Sequence, residues 1–385
     1  MERGVLPWVC VLTHSYFPRD PRVSKEVAAL LEAGYRVDVV CLRGEGESFF
    51  ENWRGGRVYR MPVRRHRGAG LGVYLLEYMA FGFLGMLFLL IFQFYRGYRV
   101  VHVHNPPDFL VFSAFFSKVV GAKVFLDVHD RMPTLYRSRF GEGHWVLGWI
   151  ERVERWSVRF ADVVITVHPG YARQMRRVGG RRKKVFVVMN TAEVRPLQEE
   201  VERAYPPVIF HHGTLVRRYG VHVLVEAVRR LGEFEFEVHI YGEGDFRTEL
   251  EELVRGYGLE GRVRFFGFCP MERLVLEIGR ASVCVVPNLR DSFTETILPT
   301  KLFEYIALCK PVIVARTAEV AKYFSESEVT FFTPGDSEEL AERIAEYFRE
   351  PEFFERKAER AWRRYRGLSW DSQKKVLWLA YREYV

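Results

Sequence analysis

The segment covering residues 291–315 carries the side chains of this chain best suited to bind a charged ligand. Its sequence, DSFTETILPTKLFEYIALCKPVIVA, predicts a polar loop, a short helix starting near Pro299 and a buried strand. Lys301 falls in the first turn, where the helix dipole already attracts anions, and Glu304 follows on the same face. A phosphate at Lys301 and a sugar hydroxyl at Glu304 would together describe a nucleotide sugar. An ordinary surface Lys–Glu pair is the alternative.

Composition limits the class of protein. The chain has 385 residues, enough for two domains, and 48% of them are hydrophobic, which is typical of a globular protein. The net charge of +8 indicates an anionic partner, which could be a phosphate, a membrane surface or nucleic acid. The basic residues are scattered and no nucleic-acid recognition motif is present, so we expect no nucleic-acid partner.

The five cysteines have no C-x-x-C spacing, and each sits in or beside an apolar run: Cys10, Cys41, Cys269, Cys284 and Cys309. This pattern predicts buried free thiols in a reducing compartment rather than disulfides, a redox site or a metal site. The N-terminal residues lead directly into a predicted strand, so we expect no signal peptide. The predicted location is therefore the cytoplasm.

Strands and helices alternate along the chain in two series. The first series has predicted strands at 5–13, 36–42, 98–104, 123–128, 161–167 and 184–189, with a helix at 21–33 that Asp20 caps. A polar, proline-containing linker at 191–207 precedes the second series, whose predicted strands lie at 208–212, 235–241, 262–266, 281–286, 311–315 and 328–332. Helices are predicted at 221–231 and 247–256, and a third runs through 348 from a capping box of Asp336 and Glu339.

Such alternation predicts an α/β protein with two Rossmann-like, doubly wound parallel-sheet domains facing a central cleft. We assign residues 1–195 to an N-terminal domain, residues 205–366 to a C-terminal domain and residues 367–385 to a closing helix that packs back on the first domain.

Residues 71–95 form an almost uninterrupted apolar stretch that follows the basic block Arg64-Arg65-His66-Arg67. A basic segment beside an apolar, aromatic-rich helix is typical of a helix lying in a membrane interface. Two alternatives remain at this point: a core helix covering the sheet of the first domain, or a membrane span, for which the stretch is short.

With two tandem sheets predicted, the segment at 291–315 resembles the retaining glycosyltransferases of the GT-B fold, family 4. In that family two glutamates with seven residues between them bind the donor, and Glu304 matches the second, which holds the ribose. The first falls on Thr296, with Glu295 one place away, so the choice between these two is open. The resemblance implies that Lys301 contacts the diphosphate.

The sequence HHGTLVRRYG after the strand at 208–212 resembles the family's phosphate-binding loop, in which Gly213 matches a glycine. The family usually has an arginine where this chain has Thr214 and a lysine where it has Tyr219. Arg217 and Arg218 are adjacent and could supply the missing cations, because guanidinium groups bind phosphate well. Solvated loop arginines are the alternative.

Two further segments match the donor side of the family. Gly242 and Gly244 in YGEGDF resemble the G-x-G turn beside the nucleotide, where a missing side chain allows close backbone approach. Phe268 follows the next predicted strand, at the position where the family contacts the base.

On the acceptor side, Arg19 and Arg22 flank a predicted helix start and are candidate anion contacts; surface arginines are the alternative. His129, in the sequence LDVHDRMP, resembles the family's histidine near the donor sugar. The resemblance therefore implies His129, Lys301 and Arg218 as catalytic residues.

The implied reaction is metal-independent transfer of a sugar from a nucleotide diphosphate to an acceptor hydroxyl, with retention of configuration and without a cofactor. The apolar stretch favours a lipid-linked or membrane-associated glycan acceptor and a peripheral location on the inner face of the membrane. A nucleotide-sugar 2-epimerase of the same fold and a non-catalytic nucleotide-sugar-binding protein are the alternatives.

Overall fold

The structure is a computed structural model that describes residues 7–66, 71–140, 145–194 and 201–384. The chain forms two compact units: residues 1–190 with 371–385, which we call unit 1, and residues 191–370, which we call unit 2. Arg67 of the basic block and the predicted domain boundary at residue 195 lie outside the described residues.

Unit 1 contains the elements β1 (Trp8–Thr13), α1 (Pro21–Glu32), β2 (Arg36–Leu42), β3 (Phe50–Trp53), β4 (Gly56–Met61), α2 (Leu71–Arg96), β5 (Val100–His104), α3 (Phe115–Val119), β6 (Lys123–Val128), α4 (Met132–Phe140), α5 (Trp145–Phe160), β7 (Val163–Thr166), α6 (Pro169–Gly179) and β8 (Lys184–Val187). The sheet order is β3-β4-β2-β1-β5-β6-β7-β8. Neighbouring strands run parallel except β3 and β4, which pair antiparallel.

Unit 2 contains β9 (Val208–His212), α7 (Val221–Val228), β10 (Glu237–Tyr241), α8 (Arg247–Gly256), β11 (Val263–Gly267), α9 (Met271–Arg280), β12 (Val283–Val286), α10 (Thr300–Ala307), β13 (Val312–Ala315), α11 (Val320–Tyr323), β14 (Thr330–Phe332), α12 (Ser337–Arg349) and α13 (Pro351–Tyr365), and α14 (Trp370–Arg382) follows. The sheet order is β11-β10-β9-β12-β13-β14, and its neighbours are parallel.

Both sheets have the strand order of a doubly wound fold, which confirms the predicted fold class. The order reverses between β1 and β5 in unit 1 and between β9 and β12 in unit 2. Ligands of open α/β sheets bind outside the carboxyl ends of the strands at such a reversal. The loops after β9 and β12 are therefore the first places to look for a site in unit 2.

The sequence analysis missed the hairpin of β3 and β4. The hairpin turns at Arg54-Gly55, both with positive φ, and adds an antiparallel edge to unit 1. Polar residues such as Glu51 and Asn52 hide the strand pattern, because an edge strand is solvated on both sides. The other strands of unit 1 lie within their predicted ranges.

Helix boundaries follow local capping. Asp20 caps α1 by accepting hydrogen bonds from the backbone of Arg22 and Val23, as predicted. Asp336 likewise accepts from the backbone of Glu338 and Glu339, but the Glu339 side chain bonds the Thr333 backbone. The predicted capping box is therefore only half formed.

The prediction that all five cysteines are buried is wrong for two of them. Cys309 is exposed and Cys269 is partly exposed. Cys309 follows α10 with φ of 54°, and its N–H bonds Ile306 O while the next N–H bonds Tyr305 O. This is a Schellman motif, in which glycine is the preferred residue because the left-handed conformation crowds a Cβ.

Helix α14 packs within unit 1. The Trp378 indole donates to the Ala29 carbonyl at 2.8 Å, and the Tyr381 hydroxyl lies 2.8 Å from His102 Nδ1. The Met189 N–H donates to the Gln373 side chain at 2.9 Å. Helix α14 therefore packs against α1 and β5 in unit 1.

Helix α2 covers the sheet of unit 1 with one face only. Phe81, Phe88 and Leu89 are buried in the core cluster of this unit. By length and composition, residues 72–96 could nevertheless cross a membrane. The most apolar 18-residue stretch of this helix has a mean hydropathy of 2.1, and only 28% of that stretch is buried. A large apolar face of α2 is therefore exposed.

Candidate functional site

Lys301 lies in the first turn of α10, at the strand-order reversal of unit 2. Its Nζ is 3.5 Å from His211 Nε2 and 5.2 Å from the centre of the Tyr219 ring. Burial of the ammonium group lowers the pKa of Lys301 to about 8, and the neighbouring Glu304 carboxylate opposes this shift. The cation has a lone pair and an aromatic face as neighbours, so an anion would meet a charge that is only weakly compensated.

His211, at the end of β9, holds Lys301 through a defined tautomer. Its Nδ1 lies 2.9 Å from the Val285 carbonyl oxygen. A carbonyl only accepts, so Nδ1 carries the proton and Nε2 presents its lone pair to Lys301. Burial, and then the charge of Lys301, hold the pKa of His211 well below its usual range, which keeps the ring neutral.

The next residue, His212, holds Glu304. The Tyr305 hydroxyl accepts from the His212 backbone N–H at 3.1 Å and lies 2.9 Å from Nδ1, to which it donates. Nε2–H then donates to Glu304 Oε2 at 2.6 Å. Among the described residues, Oε1 of Glu304 has no hydrogen-bond partner, so the carboxylate retains an acceptor for a ligand hydroxyl.

Gly213, in the loop after β9, leaves room for the Lys301 ammonium group to lie against the backbone of that loop. Gly213 has φ of 128°, and a Cβ there would lie 2.6 Å from Lys301 Nζ. The predicted G-x-G turn serves the same packing: a Cβ on Gly242 would lie 1.9 Å from Gly213 O, and one on Gly244 would lie 2.1 Å from Leu215 O. The loops after β9 and β10 therefore pack backbone to backbone beside Lys301, which only glycine permits.

The two adjacent arginines diverge. Arg217 is exposed and pairs with Glu249 of α8 at 3.3 Å. Arg218 lies over the Phe293 ring at 5.3 Å, with Nε 3.9 Å from Asp291 Oδ2. Arg218 therefore contacts the segment that leads to Lys301, whereas Arg217 is turned toward the surface. Thr214 is exposed between Gly213 and the buried Leu215.

Glu295 and Thr296 both have partners within the protein. Glu295 pairs with Arg290 at 2.8 Å and accepts from the Ala318 N–H at 2.7 Å. The Thr296 hydroxyl donates to the Phe293 carbonyl at 2.9 Å. The geometry gives each a structural role, and the choice between them as a donor contact stays a prediction. Phe268 is largely exposed after β11.

In unit 1, the prediction that Arg22 contacts a ligand anion is wrong, because its guanidinium is buried and already occupied. It forms two bonds to Asp127, at 2.7 and 2.9 Å, a contact with Glu26 at 3.1 Å and a bond to Val188 O at 3.1 Å. Arg19, in contrast, is exposed and pairs with Glu47 at 3.0 Å.

Four buried side chains beside Arg22 have ligand atoms within 4.8 Å of one another, a spacing suited to a metal ion: Glu26, His102, His104 and Asp127. The Arg22 guanidinium already lies among them as a cation. Burial raises the pKa of Glu26 to about 7, and Arg22 opposes this shift. We therefore interpret the cluster as an ion-pair network that carries its own positive charge.

His129 follows β6 close to this network. Its backbone N–H donates to Asn105 Oδ1 at 3.0 Å, and its ring centre lies 6.2 Å from that of His104. Burial lowers the pKa of His129, which favours the neutral ring, although the Asp127 carboxylate opposes the shift. Its catalytic role stays a prediction.

Sequence reasoning brought Lys301 and Glu304 together correctly on one helix but missed the residues that hold them. His211, His212 and Tyr305 were not predicted, and Tyr219 was noted only as a departure from the family pattern. The available signal was the pair of histidines that ends the apolar strand VIFHH, since polar side chains at a strand end beside a reversal often face a ligand.

Two protein-family models match this chain. The model described as "Glycosyl transferase 4-like domain" matches residues 20–191, and the one described as "Glycosyl transferases group 1" matches residues 196–364.

One relative is the putative colanic acid biosynthesis glycosyltransferase WcaL of Escherichia coli, 27% identical over 199 residues, which are 49% of this chain and 48% of that protein. The chain thus spans about half the length of this relative. Two solved structures show the same fold. Sucrose-phosphate synthase from Thermosynechococcus elongatus has a TM-score of 0.80 at 18% identity, covering 98% of each chain. Anabaena Alr3699/HepE in complex with UDP-glucose has a TM-score of 0.70 at 15% identity, covering 98% of this chain and 99% of that one.

Proposed function

The chain belongs to the glycosyltransferases of group 1, and from this premise we propose that it transfers a sugar from a nucleotide diphosphate to an acceptor hydroxyl with retention of configuration. The observation that carries the proposal is the pairing at the end of β9, where neutral His211 holds Lys301 and His212 holds Glu304. One site thereby offers a cation for a diphosphate and a carboxylate oxygen for a sugar or ribose hydroxyl.

Lys301 has the central part in the proposed mechanism. Negative charge develops on the diphosphate as the glycosidic bond breaks, and a preorganised cation stabilises that charge more than it stabilises the bound donor. Retention follows if the leaving phosphate takes the proton of the acceptor hydroxyl on the same face of the sugar. Arg218 supports the segment before Lys301. His129 stays a proposed catalytic residue on the resemblance to the family alone.

Neither this mechanism nor the residues proposed for it include a metal ion or a cofactor. In this proposal Lys301, rather than a metal ion, neutralises the negative charge that develops on the diphosphate. A uridine nucleotide is the first donor to test, because the Anabaena neighbour holds UDP-glucose.

The test begins with thermal stabilisation by nucleotide diphosphates and their sugars, since a ligand that binds the native state raises the melting temperature. With the donor identified, we expect Lys301→Ala and Glu304→Ala each to lower transfer about 100-fold or more, the usual cost of removing one group that stabilises developing charge. Transfer is measured as product formation at equal protein concentration.

The matched controls are Lys322→Ala and Glu352→Ala, which remove an exposed lysine and an exposed glutamate of unit 2. Both should retain full transfer. Normal turnover by the Lys301 and Glu304 variants would remove the basis of the proposed function. Product formed from the donor alone, without an acceptor, would instead indicate epimerisation.

We further propose that α2 places the protein on the cytoplasmic face of a membrane, close to a lipid-linked or membrane-associated glycan acceptor. Leu76, Phe83 and Phe94 of α2 are 71%, 56% and 75% exposed, whereas its opposite face is buried against the sheet of unit 1. A helix held in this way cannot span a bilayer without leaving its own core, so an interfacial position agrees best with the packing.

Flotation with vesicles that contain phosphatidylglycerol tests this position. We expect the chain to float, and the triple variant Leu76→Ser, Phe83→Ser, Phe94→Ser to stay in solution, because burial of each large side chain contributes about 1.5–3 kcal/mol. Leu276→Ser with Phe353→Ser, two exposed apolar residues of unit 2, is the control that should still float. A parent chain that does not float would argue for a soluble acceptor.

A further inference from the structure

A cavity of about 470 Å³ opens in unit 1 at the carboxyl ends of β2 and β4. It is lined by Arg43, Gly44, Gly46, Pro62, Arg64 and His66. Its size is within the range of about 300–1,000 Å³ that small-ligand sites occupy. The carboxyl edge of an open parallel sheet is also the edge at which such folds bind ligands.

The described lining residues include two arginines and no acidic residue. Among the described residues, neither Arg43 nor Arg64 has an acidic side chain within ion-pair distance, and the one hydrogen bond of the Arg43 guanidinium goes to the backbone carbonyl of Glu47, at 2.8 Å. Two guanidinium groups at one cavity without a counter-charge favour binding of an anion.

Two nearby arginines, Arg19 before α1 and Arg60 in β4, have acidic partners. Glu47 pairs with Arg19 at 3.0 Å and with Arg60 at 3.1 Å, and Glu51 also pairs with Arg60. The Glu47 carboxylate additionally accepts the Gly44 N–H at 2.7 Å. Glu47 and Glu51 therefore already have arginine partners, and neither of them pairs with Arg43 or Arg64.

His66, which lines the cavity, is hydrogen-bonded to the apolar helix α2. Glu77 of α2 is buried and accepts the backbone N–H of His66 at 3.0 Å, and its Oε1 lies 2.5 Å from His66 Nδ1. Leu76, the adjacent residue, is among the most exposed side chains of α2. One wall of a cationic cavity thus lies directly beside an apolar surface, an arrangement that suits a ligand with an anionic head and an apolar chain.

We propose that this cavity binds the phosphate or diphosphate group of an amphiphile, with Arg43 and Arg64 as its anion contacts, so that an acceptor carrying a lipid phosphate is held by unit 1. This inference rests on the proposed transfer to a membrane-associated acceptor and names the chemical group that recruits it. The same phosphate chemistry occurs in a prenyl diphosphate, in a bilayer phospholipid and in free diphosphate, so the experiment separates these sources.

The experiment uses the full chain with Lys301→Ala, which removes the donor-side cation, and titrates it by calorimetry with geranyl diphosphate, a soluble short-chain prenyl diphosphate. Saturable binding is expected, weakened about tenfold by Arg43→Gln and again by Arg64→Gln, as a lost hydrogen bond to a charged group predicts. Arg177→Gln, an exposed arginine of α6, is the matched control and should bind as the parent does.

Two further arms assign the source. Inorganic diphosphate that binds as tightly through the same arginines identifies a free phosphate. Flotation on phosphatidylglycerol vesicles that depends on Arg43 and Arg64, without binding of geranyl diphosphate, identifies a phospholipid headgroup. Both outcomes support a phosphate pocket. Unchanged binding and flotation in the Arg43→Gln, Arg64→Gln double variant would overturn it.

Failure of this proposal and failure of the proposed function are distinguishable. The titration requires no donor and no turnover, so the pocket can be present in a chain that transfers nothing. Conversely, a chain that transfers the sugar, but whose binding of geranyl diphosphate and of vesicles is unchanged in the double variant, would leave the proposed function intact and overturn this proposal.

Discussion

Arg22 in unit 1 and Lys301 in unit 2 both lie near the carboxyl ends of parallel strands. Their neighbours differ: Arg22 has acidic partners, whereas Lys301 has uncharged ones. In unit 1, Arg22 is enclosed by the carboxylates of Asp127 and Glu26. In unit 2, Lys301 faces the neutral ring of His211 and the face of Tyr219. The same topology thus holds a cation that is fully neutralised and one that is not.

The difference shows why cation position alone does not predict an anion site. Both residues fall at a helix start, where the dipole favours anions, and both were predicted as ligand contacts. Only the partners separate them: two carboxylates neutralise Arg22, whereas a lone pair and an aromatic ring leave the charge of Lys301 available to a diphosphate.

Removal of Arg22 should have the largest effect, and the effect should be on stability. Arg22→Met removes the guanidinium that pairs with the buried carboxyl groups of Asp127 and Glu26, so the free energy of unfolding should fall by about 3–5 kcal/mol. Urea unfolding of the full chain measures this loss. The triple variant that adds Glu26→Gln and Asp127→Asn should recover most of it, because the unpaired buried charges are gone.

A stable Arg22→Met chain with weakened nucleotide or acceptor binding would reverse this interpretation and restore Arg22 as a ligand contact. Arg173→Met, at an exposed position of α6, is the control for the loss of one arginine. It should change stability by less than about 0.5 kcal/mol.

Binding of a nucleotide diphosphate at Lys301 should be accompanied by proton uptake, because no acidic group that the structure describes fully neutralises this lysine. The pKa of about 8 in the free protein means that the ammonium is about half protonated at pH 8. A bound diphosphate brings negative charge, which raises this pKa, so binding at pH 8 should take up about half a proton. At pH 6.5 the lysine is already protonated and its uptake should vanish.

Calorimetric titration of the nucleotide diphosphate in buffers of different ionisation enthalpy measures the uptake. Lys301→Met should abolish the difference between pH 8 and pH 6.5, whereas Lys322→Met should keep it. Proton release at pH 8, or equal uptake in the Lys301→Met protein, would show that Lys301 is not the residue that meets the diphosphate.

The smallest expected effect concerns the end of the helix that carries Lys301. Cys309 occupies a left-handed position, so Cys309→Gly should stabilise unit 2 by up to about 1 kcal/mol. The change in melting temperature measures it, with Cys269→Gly, at a position without positive φ, as the control. Altered nucleotide affinity in Cys309→Gly would show that the helix end also positions Lys301.

The sequence predicted most strands and helices to within a few residues, because hydrophobic periodicity and caps are local signals. It predicted Lys301 and Glu304 as a pair for the same reason: they lie three residues apart on one helix. The hairpin of β3 and β4 was missed because an edge strand carries polar residues on both faces.

Local patterns were enough to predict two alternating α/β series and the helix that carries Lys301 and Glu304, since each depends on residues close together in the chain. Which cations are neutralised depends instead on long-range packing. Asp127 reaches Arg22 across 105 residues, and Glu304 meets His212 across 92. Such pairings depend on how distant strands and helices pack, and no local pattern encodes them.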